Sequence, residues 1–227
     1  MKLGIIHIVP PYTEFPPERY GGTERVAYYL IKAQEEIKDV ITKYLNVDEV
    51  SIKVIGRSKK ENLKACLNPY IYALRILHQT LKAFEKEYDL ILVHNHLIQR
   101  NAFLFFHTLT GQRTLSITTL HYDPPLVKSL KYASFILKPA VVAISKNQFN
   151  RLKPIFKDNL IGYIHNGLPV EEFPFCKDKG EYLVSLAMIS PVKGIHNAIV
   201  IAKHSNHKLI IIGPIRDSPI SKLSRNT

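Results

Sequence analysis

A few positions carry residue types whose chemistry goes beyond packing. Gly21 and Gly22 stand in RYGGTERVAYYL, between a Pro-rich loop and a segment of helical period. A glycine pair there either makes a turn with φ > 0 or lets a ligand approach exposed helix N–H groups without a Cβ in the way. Neither the GxGxxG dinucleotide fingerprint nor the GK[ST] ending of a P-loop is present. His121 follows an apolar run in ITTLHYDP, a place where a histidine is more often a loop or satisfied core residue than a ligand-facing one. His94 and His96 flank Asn95 as HNH and could begin a metal site. A third ligand of recognisable spacing is missing and carboxylates are scarce nearby, so no metal is expected.

These residues need elements to position them, and the chain supplies an alternation of short apolar runs with segments of helical period. That pattern is α/β: a doubly wound, Rossmann-like parallel sheet covered by helices. Strands are predicted over Leu3–Val9, Val50–Ile55, Asp89–His94, Leu115–Leu120, Ala140–Ile144 and Leu160–Ile164, rich in Ile, Val and Leu as doubly buried strands are. Val26, Tyr29, Leu30, Ala33 and Ile37 predict one buried helix face, and Ile71, Leu74, Leu77, His78, Leu81 and Phe84 a second. Ser145 and Gln148 have capping-box spacing directly after a strand. Turn formers and charges between Asn166 and Glu181 mark a boundary. The expected division is a first domain over 1–168, a linker over 169–180 and an incomplete second Rossmann-like domain over 181–227. That last part holds strand Tyr182–Ile189, helix Val192–His204 and strand Lys208–Ile212, a single βαβ unit that cannot bury both faces of its own sheet.

Composition narrows the partners. The 227 residues carry 31 Lys and Arg against 19 Asp and Glu, a net charge of +12, which favours anionic ligands or surfaces. Cys66 and Cys176 are few and far apart, no secretory leader is evident, and no apolar run approaches the roughly 20 residues that span a bilayer. A cytoplasmic protein is expected. Between Leu126 and Lys157 lie Lys128, Lys131, Lys138, Lys146, Arg151, Lys153 and Lys157 with no acid among them, interleaved with Tyr132, Phe135, Phe149 and Phe156. Such a field suits a solvated surface or peripheral contact with anionic lipid at the inner membrane face. The aromatics sit at spacings of core faces and no nucleic-acid motif occurs, so no nucleic acid is expected as a partner.

The segments PPYTEFPPERYGGTERVAYYL, DLILVHNH, ITTLHYDP, AISKNQFNRLK, YIHNGLPVEEFPF and YLVSLAMISPVKG occur in an order that resembles retaining glycosyltransferases of family 4, which have the two-Rossmann-domain GT-B architecture. The resemblance extends over nearly the whole chain. It implies hexosyl transfer from a nucleotide diphosphate sugar to a sugar or lipid-linked acceptor, with no metal or other cofactor. By the same resemblance Gly21 and Gly22 lie close to donor phosphates and acceptor, His121 lies near the transferred sugar as the catalytic and substrate-binding histidine, and Lys193 holds the donor diphosphate. An ammonium beside a helix N-terminus would stabilise the charge that develops on the departing group.

Two departures bear on the donor side. Met188 in LAMISPVKG occupies the region where the family carries an arginine, and a thioether cannot bind phosphate as a guanidinium does. No Glu in the chain is followed by another eight positions on, the spacing of the family's donor-binding pair. The chain is expected to be a truncated form, weak or inactive alone, whose donor half comes from a longer chain or a partner chain. The competing expectations are a non-catalytic acceptor- or membrane-surface-binding relic and an unrelated Rossmann-type nucleotide binder.

Overall fold

The computed structural model describes residues 2–11, 13–18, 21–61, 68, 71, 74–76, 78–79, 82, 89–94, 115–121, 140–178 and 180–215. The chain divides into two compact units, Met1–Pro169 and Val170–Thr227.

The first unit is built on a six-stranded parallel sheet in the order β2-β1-β3-β4-β5-β6. Its strands are β1 (Lys2–Ile8), β2 (Glu49–Ile55), β3 (Leu90–Val93), β4 (Leu115–Leu120), β5 (Ala140–Ala143) and β6 (Leu160–Tyr163). Each predicted strand of this unit is present, and no end differs by more than one residue. Five residues in a row on β1, Gly4 to Ile8, are buried, as expected for a strand covered on both faces. The order turns from β1 outward in both directions, so the gap between β1 and β3 is the topological switch point, where open α/β sheets form a crevice at their carboxyl edge.

Helix α1 (Gly22–Glu36) follows the Pro-rich loop and α2 (Lys38–Leu45) follows α1. The sequence period places α1 correctly but assigns it the wrong buried face. Glu24, Ala27 and Ile31 point inward, while Leu30 and Ile37 are 39% and 47% exposed. Glu24 lies on the inward face against the loop, where the backbone of Thr13 bonds its carboxylate, in place of the most apolar stripe. Among the described residues of the predicted Ile71–Phe84 face, Ile71 and Leu74 are exposed, and it is Ile76 that is fully buried. Leu77, Leu81 and Phe84 of that face lie outside the described residues.

Helix α3 (Lys146–Phe156) starts as its cap predicts, with Ser145 Oγ accepting from Gln148 N at 3.1 Å. The return bond goes one residue further back than in a standard capping box, because Gln148 Oε1 accepts from Ile144 N at 2.8 Å. Leu152 and Phe156 on α3 close a core cluster with Leu120, Val141, Ala143 and Leu160, and Phe149 packs on its edge. Of the aromatics of the basic stretch, Phe156 is therefore a core residue and Phe149 packs against the core. The exposed Lys146, Arg151, Lys153 and Lys157 carry its charge on this helix and the turn after it, and Lys128, Lys131, Tyr132, Phe135 and Lys138 lie outside the described residues.

The second unit pairs β7 (Tyr182–Leu186) with β8 (Lys208–Ile212) in parallel through α4 (Ile195–His204). The predicted continuous helix Val192–His204 is broken: Pro191–Lys193 is a 3₁₀ turn, and Gly194, at φ 69°, sits in the left-handed region before α4 begins. Val184, Leu186 and Ile212 on the strands and Ile199 to Ile201 on the helix are more than half exposed. Among the described residues no helix is long and apolar enough to cross a membrane.

Phe156 is 1% exposed and fills the space between α3 and the sheet. Phe156→Ala is expected to destabilise the chain by about 3–5 kcal/mol, read as a lowered urea midpoint at unchanged m-value.

Candidate functional site

Three histidines form a diagonal row across the carboxyl end of the sheet. His7 on β1 is in register with Leu92 on β3, and His94 is two residues beyond Leu92. Val93 is in register with Thr118, so His94 falls level with Thr119, and His121 is again two residues beyond. A step of two keeps each side chain on the same face of the sheet as the last. The parallel register thus brings together residues separated by 87 and 27 positions in sequence.

The rings form a hydrogen-bonded chain. Nδ1 of His7 lies 3.1 Å from Nε2 of His94, and Nδ1 of His94 lies 3.2 Å from Nε2 of His121. The His7 and His94 planes are parallel to within 2°, with centroids 5.4 Å apart. That separation is too large for face-to-face contact at about 3.5 Å and fits two rings meeting edge to edge in one plane, the best orientation for an N–H···N bond. Both nitrogens of His94 are used by its neighbours, so the ring nitrogens face one another and do not converge on a common centre. His96, the other half of the HNH pair, lies outside the described residues.

Burial dominates the electrostatics of the row. It pulls the His7 and His121 imidazoles down to about 4. His94 is lowered well below its ordinary value by burial and, secondarily, by its two histidine neighbours. All three rings are therefore neutral at pH 7. The chain has an amide near each end: the Gln34 side chain on α1 approaches His7, and that of Asn166 approaches His121. Among the described residues, His7 Nε2, Gln34 Oε1 and His121 Nδ1 are buried atoms without a completed hydrogen bond. His7 and His94 are fully buried, whereas His121 is only partly so, and the row leads from the sheet interior toward the carboxyl edge.

The glycine pair stands at the start of α1, beyond the carboxyl end of β1, and its two members differ. A Cβ on Gly21 would overlap Thr13 Cγ2 and come within 2.9 Å of Glu24 Oε2, so this position lacks a side chain because the protein itself fills the space. A Cβ on Gly22 would meet nothing within 4 Å. Gly21 has φ −173°, an extended conformation open to any residue, and neither glycine is needed for a left-handed turn. Close approach explains Gly21, and accessible space remains at Gly22.

The loop before the pair is clamped by the guanidinium of Arg57, and a second guanidinium, Arg75, braces the segment after β2 that carries Arg57. Arg57, buried just after β2, donates from Nε to Pro11 O at 2.9 Å and from Nη2 to Glu14 Oε2 at 3.1 Å. Arg75 donates from Nη2 to Gly56 O and to Glu61 Oε2, both at 2.8 Å. Beside this clamp, Glu24 is 3% exposed and its Oε1 lacks a partner among the described residues. Burial raises its carboxyl, opposed by backbone N–H bonds and the charge of Arg57.

Of the residues singled out from sequence, the first unit holds Gly21, Gly22, His94 and His121. Lys193 belongs to the second unit, where it is exposed at the end of the 3₁₀ turn before Gly194 and α4. Sequence reasoning missed His7, Gln34, Thr13, Glu24 and Arg57. Glu24 lay within the quoted YGGTE segment, and a charged residue in the first turn of a helix that starts at two glycines was the one available signal. His7 had none, because only the strand register makes it a neighbour of His94.

No family model matches the chain, and no curated protein matches it. Among solved structures it is similar to a crystal structure of a glycosyltransferase from Rickettsia africae ESF-5, with 18% identity over 98% of this chain and 70% of that one and a TM-score of 0.49.

Two outcomes are expected. Unfolded histidine titrates near 6.5 and the buried rings near 4, so between these values the unfolded state binds more protons and acidification costs stability, up to a few kcal/mol per ring. The raised Glu24 carboxyl opposes this in part, because its protonation on acidification relieves a buried charge. Urea midpoints should fall steadily from pH 6.5 to 4, and a flat profile would show that the histidines are not buried neutral. Gly21→Ala should destabilise by about 1–3 kcal/mol through overpacking, and Gly22→Ala should stay within about 0.5 kcal/mol of the parent, both read by thermal unfolding.

Proposed function

We propose that the chain is the acceptor-side part of a nucleotide-sugar-dependent glycosyltransferase of the retaining GT-B type. The observation that carries this reading is His121: a neutral, partly exposed imidazole at the carboxyl end of β4, at the end of the histidine row. It occurs at the position where the motif order of the sequence resembles family 4 enzymes. A neutral ring at a strand end can bind a sugar hydroxyl without the cost of burying a charge. The crevice beyond the carboxyl ends of the strands is where this fold class binds ligands. Open space at Gly22, ahead of the first N–H groups of α1, is compatible with close approach by a phosphate or sugar.

On this reading the first unit holds the acceptor and contacts the transferred sugar through His121. In the second unit the exposed ammonium of Lys193 would attract the donor diphosphate, with Ile195–His204 opening just beyond it. No metal is assigned. The exposed Lys146, Arg151, Lys153 and Lys157 suit an acceptor carried on an anionic surface, each adding on the order of 1 kcal/mol near such a membrane.

Ligand binding to the purified chain, followed by saturation-transfer NMR with UDP-glucose, UDP-N-acetylglucosamine, GDP-mannose and NAD, tests the reading. At least one nucleotide sugar should bind in preference to NAD, and His121→Asn should weaken that nucleotide sugar more than the corresponding free nucleotide. Preference for NAD, or a loss in the variant that is equal for nucleotide and nucleotide sugar, would overturn it.

A further inference from the structure

Two N···N contacts among three imidazoles limit how many protons the row can hold. At 3.1 and 3.2 Å each contact takes one proton and no other number: with none, two lone pairs face each other, and with two, a pair of N–H groups collide. The contacts use His7 Nδ1, both nitrogens of His94 and His121 Nε2, so His7 Nε2 and His121 Nδ1 are the sites whose occupancy can vary. Three neutral rings carry three protons, two in the contacts and one on an outer nitrogen. Filling the other outer nitrogen gives four protons and a single positive charge. The count is the same whichever outer nitrogen fills first, so it does not depend on the tautomers of the neutral row.

Three separate histidines would hold three positive charges. In the row a second charge needs a fifth proton, and the fifth proton has no place except in a contact that is already filled. One ring must then leave its neighbour. The contacts bridge β1 to β3 and β3 to β4, so parting them acts on the strand pairs that build the carboxyl edge. The described surroundings give little relief. Toward His7, α1 presents the Gln34 amide and the Glu35 carboxylate, and both favour a charge there against the effect of burial. Toward His121 the segment after β6 presents the uncharged Asn166 amide, and the groups acting on His94 are His7 and His121 themselves, which disfavour a charge on it.

We propose that the row is an acid-operated latch on the carboxyl edge of the sheet: closed, it carries at most one positive charge, and uptake of a second opens the β1–β3–β4 edge, where His94 N bonds Ile8 O at 2.8 Å. The rings of the closed row are held neutral by burial, His7 and His121 down to about 4, whereas rings freed by opening titrate near 6.5. Opening therefore takes up protons below pH 6.5, and acid favours it. The uptake is three protons from a neutral row and two from a row that already holds its one charge. The latch rests on the side-chain row alone and not on the sugar-transfer reading, although it acts on the crevice that reading uses.

Two measurements on the full chain test it. Ring ¹H–¹³C spectra, followed downward from pH 7 for as long as the native amide spectrum persists, give the charge on each histidine. The charges of His7, His94 and His121 in native molecules should sum to no more than one at every pH, and two rings charged together in the native spectrum would overturn the proton limit. Hydrogen exchange at the His94 amide between about pH 6 and pH 5, corrected for the intrinsic rate, reads the opening. Its opening constant should rise by at least about 100-fold per pH unit, as uptake of two or more protons requires, and a slower rise would overturn the latch. The Ile164 amide, which bonds Ala143 O at 2.9 Å on the β5–β6 side of the sheet, should rise less steeply. An equal rise there would show that the whole sheet unfolds rather than one edge, and would also overturn the latch. Neither measurement involves a ligand, so the latch and the sugar-transfer reading fail independently.

Discussion

Burying three imidazoles in one sheet is costly unless each finds a partner, and in this protein they find one another. The parallel register of β1, β3 and β4 provides that, since the two-residue offsets put His7, His94 and His121 on one face at bonding distance. A slip of one residue in either pairing would send a ring to the opposite face and leave its neighbours as unpaired buried polar groups, at about 1–3 kcal/mol each. The row therefore reinforces the strand order that creates it. It also spans the switch point between β1 and β3, so the buried histidine row and the expected ligand crevice share the same strands.

Strand positions were legible in the sequence because doubly buried strands are runs of Ile, Val and Leu, whose pattern survives any detail of packing. Helix faces were less so. On α1 the apolar stripe competes with Glu24, which the clamped loop draws inward, and tertiary contact prevails over periodicity. The break at Gly194 follows from a backbone state that hydrophobic pattern does not encode. The site was legible in the same uneven way. His121 and the glycine pair stand at junctions of pattern, where a strand or helix visibly begins or ends. His7 is inside a strand and looks like any β-strand residue until its neighbour two strands of chain away is known.

The glycine pair shows how adjacent identical residues can answer to different constraints. Gly21 belongs to the packing of the loop, since Thr13 and Glu24 fill the space a side chain would need. Gly22 has no such neighbour and retains open space at the first turn of α1. A motif read as one unit from sequence thus separates into one structural and one accessible position, each with its own response to substitution.

The Arg57 clamp has a consequence for how this fold can diversify. Its guanidinium and backbone fix Pro11, Glu14 and Phe15, the last through a bond from Phe15 N to Arg57 O, while Thr13 and Glu24 fix the far end of the loop at Gly21. Between those two anchors lie Pro16 to Glu18, where Pro16 and Glu18 are exposed and Glu18 pairs with the exposed Lys59. Insertions or sequence exchange there would alter the rim of the crevice without disturbing either anchor. The loop thus has fixed ends that preserve the start of α1 and a central segment whose length and composition are not dictated by either anchor.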